Sequence, residues 1–271
     1  MRATECVALT FVFKWLGRMI IESEADLRGM KRIGEICGLT LKLMLDHAEA
    51  GMSTRDLDDI GRDFMLKMGA VSAPIQAYEF PGYTCISLND EAAHGVPRKD
   101  RFIRPGDLLN VDVSAVLEGY WGDTGATIIV PPERADFIKL CQVTRNALQL
   151  AIELARPGQR ARAIGRAVEK YAKRRGYRTL RELGGHGVGR HIHEKPSIPN
   201  FHNRRNRDVL EDGMVLTLEP FLNAGRGKIV AADDGWTLRT VDGSVSAQYE
   251  HTVIINGGAP ILVTEVEGGY V

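Results

Sequence analysis

A recurrence within the chain constrains its fold more than any other feature of the sequence. A shift of 107 positions (158 − 51) superimposes two helical segments, their order and the glycines that end them. The clearest aligned pairs are Gly51 with Gly158, Arg55 with Arg162, Leu57 with Ile164, Phe64 with Tyr171, Lys67 with Arg174, and Gly69 with Gly176. A repeat of this length predicts two α/β halves that face each other, with a binding pocket between them.

Local signals predict the helices of both halves. Ser23-Glu-Ala-Asp26 resembles a capping box, and apolar residues then recur at helical spacing. Glycines and capping hydroxyls mark the remaining ends. The pattern predicts four helices: Ser23 to about Ala50, Ser53 or Thr54 to Gly69, Ala135 to Arg156, and a helix through Ile164 that ends at Gly176.

Composition narrows the class of protein. The 271 residues are 44% hydrophobic, which is enough for a substantial core, and Lys plus Arg and Asp plus Glu number 35 each. A chain without net charge does not favour DNA or an anionic membrane as a partner. The four cysteines are widely spaced, as is typical of reduced thiols in a cytoplasmic protein: Cys6, Cys37, Cys85 and Cys141.

The regular signals begin near residue 20, so residues 1–19 are interpreted as an N-terminal extension and residues 20–271 as one domain. The stretch Cys6–Phe13 is apolar like the centre of a signal peptide, but Lys14 and Arg18 interrupt it and no small-x-small cleavage site follows. A targeting segment remains the alternative. No run approaches the ~18 consecutive apolar residues of a membrane span.

Two predicted strands carry aspartates in unexpected positions. Residues 108–116 and 122–130 read as strands, and Glu118-Gly119 is expected to form the tight turn between them. In that register Asp112 pairs with Gly125, which puts Asp123 one diagonal step away on the same face. Like charges a few ångströms apart are costly unless a proton or a cation lies between them, so the register indicates metal binding. A turn cap is the alternative for an isolated strand aspartate.

Two further carboxylates lie in the interior of apolar predicted strands, Glu219 in the segment 214–220 and Glu250 in the segment 246–255. An unpaired buried carboxylate is costly unless it becomes neutral. With the glycine-flanked His186, these four carboxylates make five candidate ligands for divalent ions. An oxygen-rich set with bridging carboxylates suits two adjacent metal ions better than one structural zinc ion.

His186 belongs to the segment 184–194, which holds three histidines, at positions 186, 191 and 193. The spacing Gly185-x-Gly-x-Gly189 looks like part of a nucleotide-binding loop, but it lacks the Gly-x-Gly-x-x-Gly spacing of dinucleotide sites. In an extended backbone His191 would point to the same side as His193. His191 is therefore expected to be a neighbour of the site and not a ligand.

Six ordered blocks resemble the type I methionine aminopeptidases, a family of metallopeptidases. The resemblance runs from about Ile20 to the C-terminus, which identifies residues 20–271 as the catalytic domain. It implies that family's α/β "pita-bread" fold, in which two pseudo-symmetric halves surround a curved, mainly antiparallel sheet flanked by helices. The blocks are Asn89–Pro97, Asn110–Asp112, Gly122–Thr124, Gly185–Pro196, Leu218–Pro220 and Ser246–Thr252.

The resemblance implies an activity and a role for each matched residue. The activity is hydrolytic removal of the initiator methionine from nascent proteins and peptides with a small second residue, by a hydroxide that bridges two divalent ions. Cobalt, manganese, iron and zinc all remain open as the metal. Glu219 would also move the water proton, His193 would donate a hydrogen bond to the scissile carbonyl, and His94 would assist the leaving amine. The implied metal ligands are Asp112, Asp123, His186, Glu219 and Glu250, with Asp123 and Glu250 bridging.

The resemblance also places Phe80, Cys85 and Trp236 in the wall of an apolar methionine pocket, where a thioether is recognised by shape. Ordinary core packing is the alternative for each of them. The chain departs from the common type I pattern at Ile192, where relatives often carry an aromatic residue, and at Ala77, which is often tyrosine. These departures affect the expected shape of the pocket and not the metal chemistry.

Three alternative functions fit the sequence less well. A peptidase of the same fold that cleaves before proline or acts on dipeptides usually carries a further N-terminal domain, whereas only about 20 residues precede the first repeated helix here. A type II methionine aminopeptidase carries a helical insertion, for which this chain is expected to be too short. A non-catalytic binding protein should have lost metal ligands, whereas all five are present. We expect a monomer. The basic run at 204–207 indicates a solvated surface, with transient docking to ribosomal RNA as the alternative.

Overall fold

The structure, a computed structural model, describes residues 17–271. Its helices are α1 (Glu24–His47), α2 (Thr54–Lys67), α3 (Ala73–Tyr78), α4 (Ala135–Leu154) and α5 (Ala161–Arg174). Its strands are β1 (Val71–Ser72), β2 (Cys85–Leu88), β3 (Glu91–Ala93), β4 (Leu108–Leu117), β5 (Tyr120–Ile129), β6 (Arg178–Thr179), β7 (Gly184–Gly187), β8 (Glu194–Pro199), β9 (Val215–Leu218), β10 (Phe221–Asn223), β11 (Ile229–Ala231), β12 (Leu238–Thr240), β13 (Ser246–Gln248), β14 (His251–Ile254) and β15 (Ile261–Leu262).

The predicted helix starts in the first half are confirmed. The Ser23 hydroxyl accepts a hydrogen bond from the Asp26 amide at 3.1 Å, and the Ser53 hydroxyl accepts one from the Asp56 amide at the same distance. Each bond satisfies an amide that has no partner within its helix. After α2 the backbone enters the left-handed conformation at Gly69, with φ of 80°, and the helix ends there. Helix α3 was not predicted.

The internal duplication is confirmed by the element bounds. Helices α2 and α5 are both 14 residues long, and they begin at residues 54 and 161, which are 107 positions apart. Strands β1 and β6 follow them with the same offset, beginning at residues 71 and 178. Helices α1 and α4 end at residues 47 and 154, again 107 apart.

The sheets of the two halves are mainly antiparallel, as expected. In the first half β4 pairs with β5 along one edge and with β1 and β2 along the other, and α1 packs on this sheet. In the second half a five-stranded sheet has the order β15-β14-β9-β7-β8. One hydrophobic cluster runs through both halves, from Met30 in α1 to Val253 in β14. The pairing of β3 with β12 and an isolated bridge between Gly125 and Glu250 also link the two halves.

The described part of the predicted N-terminal extension lies against the domain. The Lys195 amide donates to the Gly17 carbonyl at 3.0 Å, the Val215 amide donates to the Met19 carbonyl at 3.1 Å, and the Met19 side chain is buried. The apolar stretch Cys6–Phe13 lies outside the described residues, so the domain boundary stays a prediction. None of the described helices is both long and apolar enough to cross a membrane.

Candidate metal centre

A cavity of about 260 Å³ lies between the two halves and brings together every residue that the sequence placed in the site. Its walls come from strands of both halves and from the loops that follow them. The predicted site residues among its lining are Phe80, Cys85, His94, Asp112, Asp123, His186, His193, Glu219, Trp236 and Glu250.

The hairpin of β4 and β5 has the predicted register. Glu118 and Gly119 both have positive φ, 52° and 77°, as a tight two-residue turn between twisted strands requires. Asp112 is therefore opposite Gly125, and Asp123 is opposite Ser114, two positions along the same face of β4. The Ser114 hydroxyl donates a hydrogen bond to Asp123 Oδ1 at 2.7 Å.

The two glutamates do not lie in strand interiors, so that part of the sequence interpretation was wrong. Glu219 directly follows β9, which ends there because Pro220 has no amide hydrogen to continue the ladder. Glu250 lies in a break between β13 and β14, where its amide donates to the Gly125 carbonyl at 2.8 Å. The breaks turn both carboxylates into the cavity that the aspartates line.

The donor atoms are close enough to share a cation. Asp123, His186 and Glu250 each offer one atom, and these atoms all lie within 4.8 Å of one another. His186 Nε2 is also 3.4 Å from Glu219 Oε1. Two buried oxygens, Asp112 Oδ1 and Glu250 Oε1, have no hydrogen-bond partner within the described chain. Orphaned carboxylate oxygens beside an imidazole nitrogen fit hard or borderline divalent ions.

Burial changes the proton affinity of every one of these groups. It raises the pKa of Asp112 to about 6 and that of Glu219 to about 8, where the charge of Asp112 adds to the shift. The pKa values of Asp123 and Glu250 lie well above their ordinary range, for the same reason and because of neighbouring carboxylates. Burial lowers the pKa of His186 to about 4. Without a cation the cluster therefore retains protons that a bound metal ion would displace.

Three polar residues that the sequence analysis missed hold these carboxylates in place. Besides Ser114, the Thr217 hydroxyl donates to Glu219 Oε1 at 3.0 Å, and Gln248 Nε2 donates to Glu250 Oε2 at 2.8 Å. Thr217 and Gln248 lie two positions before Glu219 and Glu250, and Ser114 lies two positions after Asp112. Residues i and i+2 of an extended backbone point to the same side, so this spacing is a signal that could have identified them.

The two predicted catalytic histidines line the cavity from positions beside strands, His94 directly after β3 and His193 directly before β8. His94 has φ of 55°, and a side chain at Gly95 would come within 2.1 Å of the Ile86 carbonyl oxygen. Burial lowers the pKa of His94 to about 4 and that of His193 well below its usual value, so both rings are neutral near pH 7. His191 is exposed and does not line the cavity, in agreement with its expected place outside the ligand set.

Apolar side chains form another part of the cavity wall. The rings of Phe80 and Trp236 meet edge to face, with centroids 5.3 Å apart, and both pack with the buried Cys85. Ile192, one of the two departures from the family pattern, also lines the cavity. That these residues bind methionine stays a prediction.

The raised carboxylate pKa values predict how the stability of the metal-stripped protein depends on pH. An acid whose pKa is raised by folding stabilises the folded state at pH values below its unfolded-state pKa. This contribution is lost as pH rises through the folded-state pKa, which is about 8 for Glu219. Buried histidines act in the opposite direction but only below about pH 7.5. The unfolding temperature after chelation should therefore fall between pH 7.5 and 8.5. With Mn²⁺ the trend should weaken or reverse, since metal binding releases the protons.

Known proteins resemble this chain over most of its length. The model of metallopeptidase family M24 matches residues 28–257. Methionine aminopeptidase 2 of Bacillus subtilis (strain 168) is 43% identical over 249 residues, which are 92% of this chain and 100% of the relative. The methionine aminopeptidase of Escherichia coli (strain K12) is 36% identical over 244 residues, covering 89% and 92% of the two chains.

Solved structures share the fold. A methionine aminopeptidase of Thermotoga maritima matches with a TM-score of 0.87 and 33% identity, over 92% of this chain and 100% of that one. The prolidase of Pyrococcus furiosus has a TM-score of 0.74 at 23% identity, and the match covers 66% of its length, so it supports the pita-bread fold alone. The chain thus belongs to metallopeptidase family M24 and, within that family, to the methionine aminopeptidases.

Proposed function

We propose that this chain is a metalloaminopeptidase that removes the N-terminal methionine from new proteins and peptides whose second residue is small. The observation that carries the proposal is the convergence of four carboxylates and His186 on one cavity, together with an apolar wall. The relatives named methionine aminopeptidase, which align over nearly the whole chain, support the same reaction.

The five converging residues would hold two divalent ions, with Asp123 and Glu250 shared between them. Four carboxylates provide enough oxygens for two ions, and His186 provides one nitrogen. When bound, the ions supply Lewis-acid chemistry: they lower the pKa of a water molecule and polarise the scissile carbonyl. The ligand set accepts manganese, iron, cobalt or zinc.

Glu219 would carry the proton in this hydrolysis. The water oxygen bonds to the carbonyl carbon, the C–N bond breaks, and a proton passes from the water to the leaving amine. Glu219 Oε1 lies 3.4 Å from His186 Nε2, within the ligand cluster. A carboxylate at that place can accept the proton of the water and return it to the amine.

His193 and His94 would act on the substrate as neutral hydrogen-bonding groups. A neutral imidazole has one N–H, and His193 would donate it to the carbonyl oxygen as negative charge develops there. His94, held at the end of β3, would contact the scissile amide and assist proton transfer to the amine. Both residues line the cavity beside the carboxylates.

The size and chemistry of the cavity suit one apolar side chain. Its volume of about 260 Å³ lies below the ~300–1,000 Å³ typical of pockets for drug-sized ligands. Phe80, Cys85 and Trp236 would contact the thioether, which is recognised by shape and soft contacts.

The enzyme would act as a monomer in the cytoplasm, on polypeptides as they are made. Arg204, Arg205 and Arg207 are exposed, which suits either a solvated surface or transient contact with the ribosome. Size-exclusion chromatography with light scattering tests the monomer. Co-sedimentation with ribosomes at low and high salt tests the contact, since binding to phosphates weakens steeply with salt.

A panel of peptides tests the proposed reaction. Metal-stripped enzyme should release no methionine from Met-Ala-Ser, and activity should return with Mn²⁺, Fe²⁺, Co²⁺ or Zn²⁺. Met-Lys-Ser should be cleaved far more slowly, and Ala-Pro-Ser should not be cleaved. Cleavage of the proline peptide alone would instead support the prolidase-like alternative, and full activity after chelation would exclude a metal-dependent reaction.

A further inference from the structure

The hydroxyl of Tyr78 meets the ring of His193 at the mouth of the cavity. Tyr78 Oη is 2.5 Å from His193 Nδ1, and the ring centroids are 5.7 Å apart. The centroid of the His193 ring also lies 4.3 Å from that of the His186 ring. Tyr78 is about one-third exposed, at 36%, so it lies at the rim where a substrate would enter.

The two partners are fixed by separate parts of the structure. Tyr78 is the last residue of α3, which the Ser72 hydroxyl caps by accepting from the Ile75 amide, while the same hydroxyl donates to the Tyr83 carbonyl at 2.8 Å. The loop before His193 is held by Glu194, whose Oε1 accepts from the amides of Arg190 and His191 at 2.6 and 2.7 Å. Each element is thus held by hydrogen bonds other than the Tyr78–His193 contact, which can therefore orient the ring.

We infer that Tyr78 is a positioning residue, which donates its hydroxyl hydrogen to His193 Nδ1 and so keeps the ring's proton on Nε2. This inference rests on the proposed function, in which His193 donates a hydrogen bond to the scissile carbonyl. The two nitrogens of a neutral imidazole have opposite roles, and the partner of one nitrogen determines the role of the other.

The chemistry of the pair assigns the direction of the hydrogen bond. If Nδ1 carried the hydrogen and donated it to Tyr78, Nε2 would have only a lone pair and could not stabilise a developing oxyanion. The phenol remains protonated at neutral pH, because burial raises its pKa to about 12. Tyr78 is thus able to donate, and only this direction leaves a donor nitrogen for the substrate.

Kinetics of Tyr78→Phe test the inference, because the change removes only the hydroxyl. We expect kcat on Met-Ala-Ser to fall by about 10- to 100-fold, the range for removing an orienting partner of an active-site histidine, with KM nearly unchanged. Metal content and unfolding temperature should stay as in the wild type. Tyr171→Phe, which removes a hydroxyl on α5 away from the cavity, is the matched control and should leave kcat unchanged.

A double-mutant cycle separates positioning from a general structural effect. In a His193→Ala background, Tyr78→Phe should cause no further loss of kcat, since the ring that it orients is absent. An equal loss in both backgrounds, or an unchanged kcat in the single variant, would overturn the inference.

Nitrogen-15 NMR of the metal-free protein gives a readout that does not depend on activity. His193 should be the Nε2–H tautomer in the wild type and a mixture of tautomers in Tyr78→Phe. A wild-type Nδ1–H tautomer would overturn the inference. A wild type with the expected tautomer but no action on Met-Ala-Ser would count against the proposed function and not against the tautomer assignment.

Discussion

Replacing Asp123 with asparagine is expected to lower kcat/KM for methionine release by at least about 1,000-fold. In the proposed function this carboxylate would be shared by two metal ions, and its loss should exceed the ~10²–10³ cost of one lost transition-state donor. Asp123 belongs to the group whose donor atoms lie within 4.8 Å of one another. Asparagine has the same shape but only one neutral oxygen, so it cannot hold two ions. The measurement is methionine release from Met-Ala-Ser with saturating Mn²⁺, together with the metal content of the purified variant.

The same substitution should not destabilise the metal-free protein. Burial and the nearby Asp112 and Glu219 carboxylates raise the pKa of Asp123, so the metal-free site already favours a neutral side chain, which asparagine provides. Ser114 can still donate to the asparagine oxygen. Mn²⁺ should raise the unfolding temperature of the wild type but not of the variant. Asp63→Asn on α2, where the side chain is 69% exposed, is the control and should change neither property. Wild-type activity in Asp123→Asn would rule out the dinuclear site.

The aspartate half of the site could be predicted because its geometry is local. A two-residue turn at Glu118-Gly119 fixes the register of the hairpin, and the pleat of the strands then puts Asp112 and Asp123 on one face. The helices could be predicted for the same reason, since caps, glycines and apolar spacing all act within a few residues of chain. The duplication could be predicted because these local signals recur in the same order 107 positions later.

The glutamate half depended on contacts between distant segments and was predicted less well. The break between β13 and β14 follows from the pairing of Glu250 with Gly125, and 125 residues separate these two positions. A Cβ at Gly125 would lie 2.4 Å from Gln248 Oε1, so any side chain there would displace the amide that holds Glu250. The five candidate ligands came from the residues themselves, and the family resemblance added their roles, whereas their supports, such as Thr217, became evident only from the fold.

The two halves also differ where their sequences align, which no repeat analysis could predict. Asp58 in α2 aligns with Gly165 in α5 at the offset of 107 positions. At Gly165 the helix lies directly against backbone, and a Cβ would be 2.1 Å from the Pro199 carbonyl oxygen. At Asp58 the equivalent helix instead binds a loop through a buried carboxylate. The first half thus has, at this position, a polar link to the loop that leads into β2 and Cys85, whereas the second half has a direct contact between helix and backbone.

Asp58 accepts hydrogen bonds from one helix residue and from the loop before β2. The Tyr83 amide, the Thr84 amide and the Thr84 hydroxyl donate to it at 3.1, 2.8 and 2.8 Å, and Arg55 Nη1 donates at 2.9 Å. Arg55 Nη2 in turn donates to the carbonyls of Pro81 and Pro97, both at 2.8 Å. One carboxylate therefore positions two loops beside the cavity wall.

Replacing Asp58 with alanine should lower the free energy of unfolding by about 3 kcal/mol or more, because several buried donors lose their acceptor at once. The KM for Met-Ala-Ser should also rise, since the loop before β2 contains Phe80 and leads into Cys85, and both residues line the cavity. The control is Asp59→Ala at the next residue of the same helix, which removes an ion pair with Arg62 whose side chains are about one-third exposed. It should cost only about 0–1 kcal/mol. Urea unfolding monitored by circular dichroism measures both changes. Equal stability losses in the two variants would show that the Asp58 network adds nothing beyond an ordinary surface ion pair.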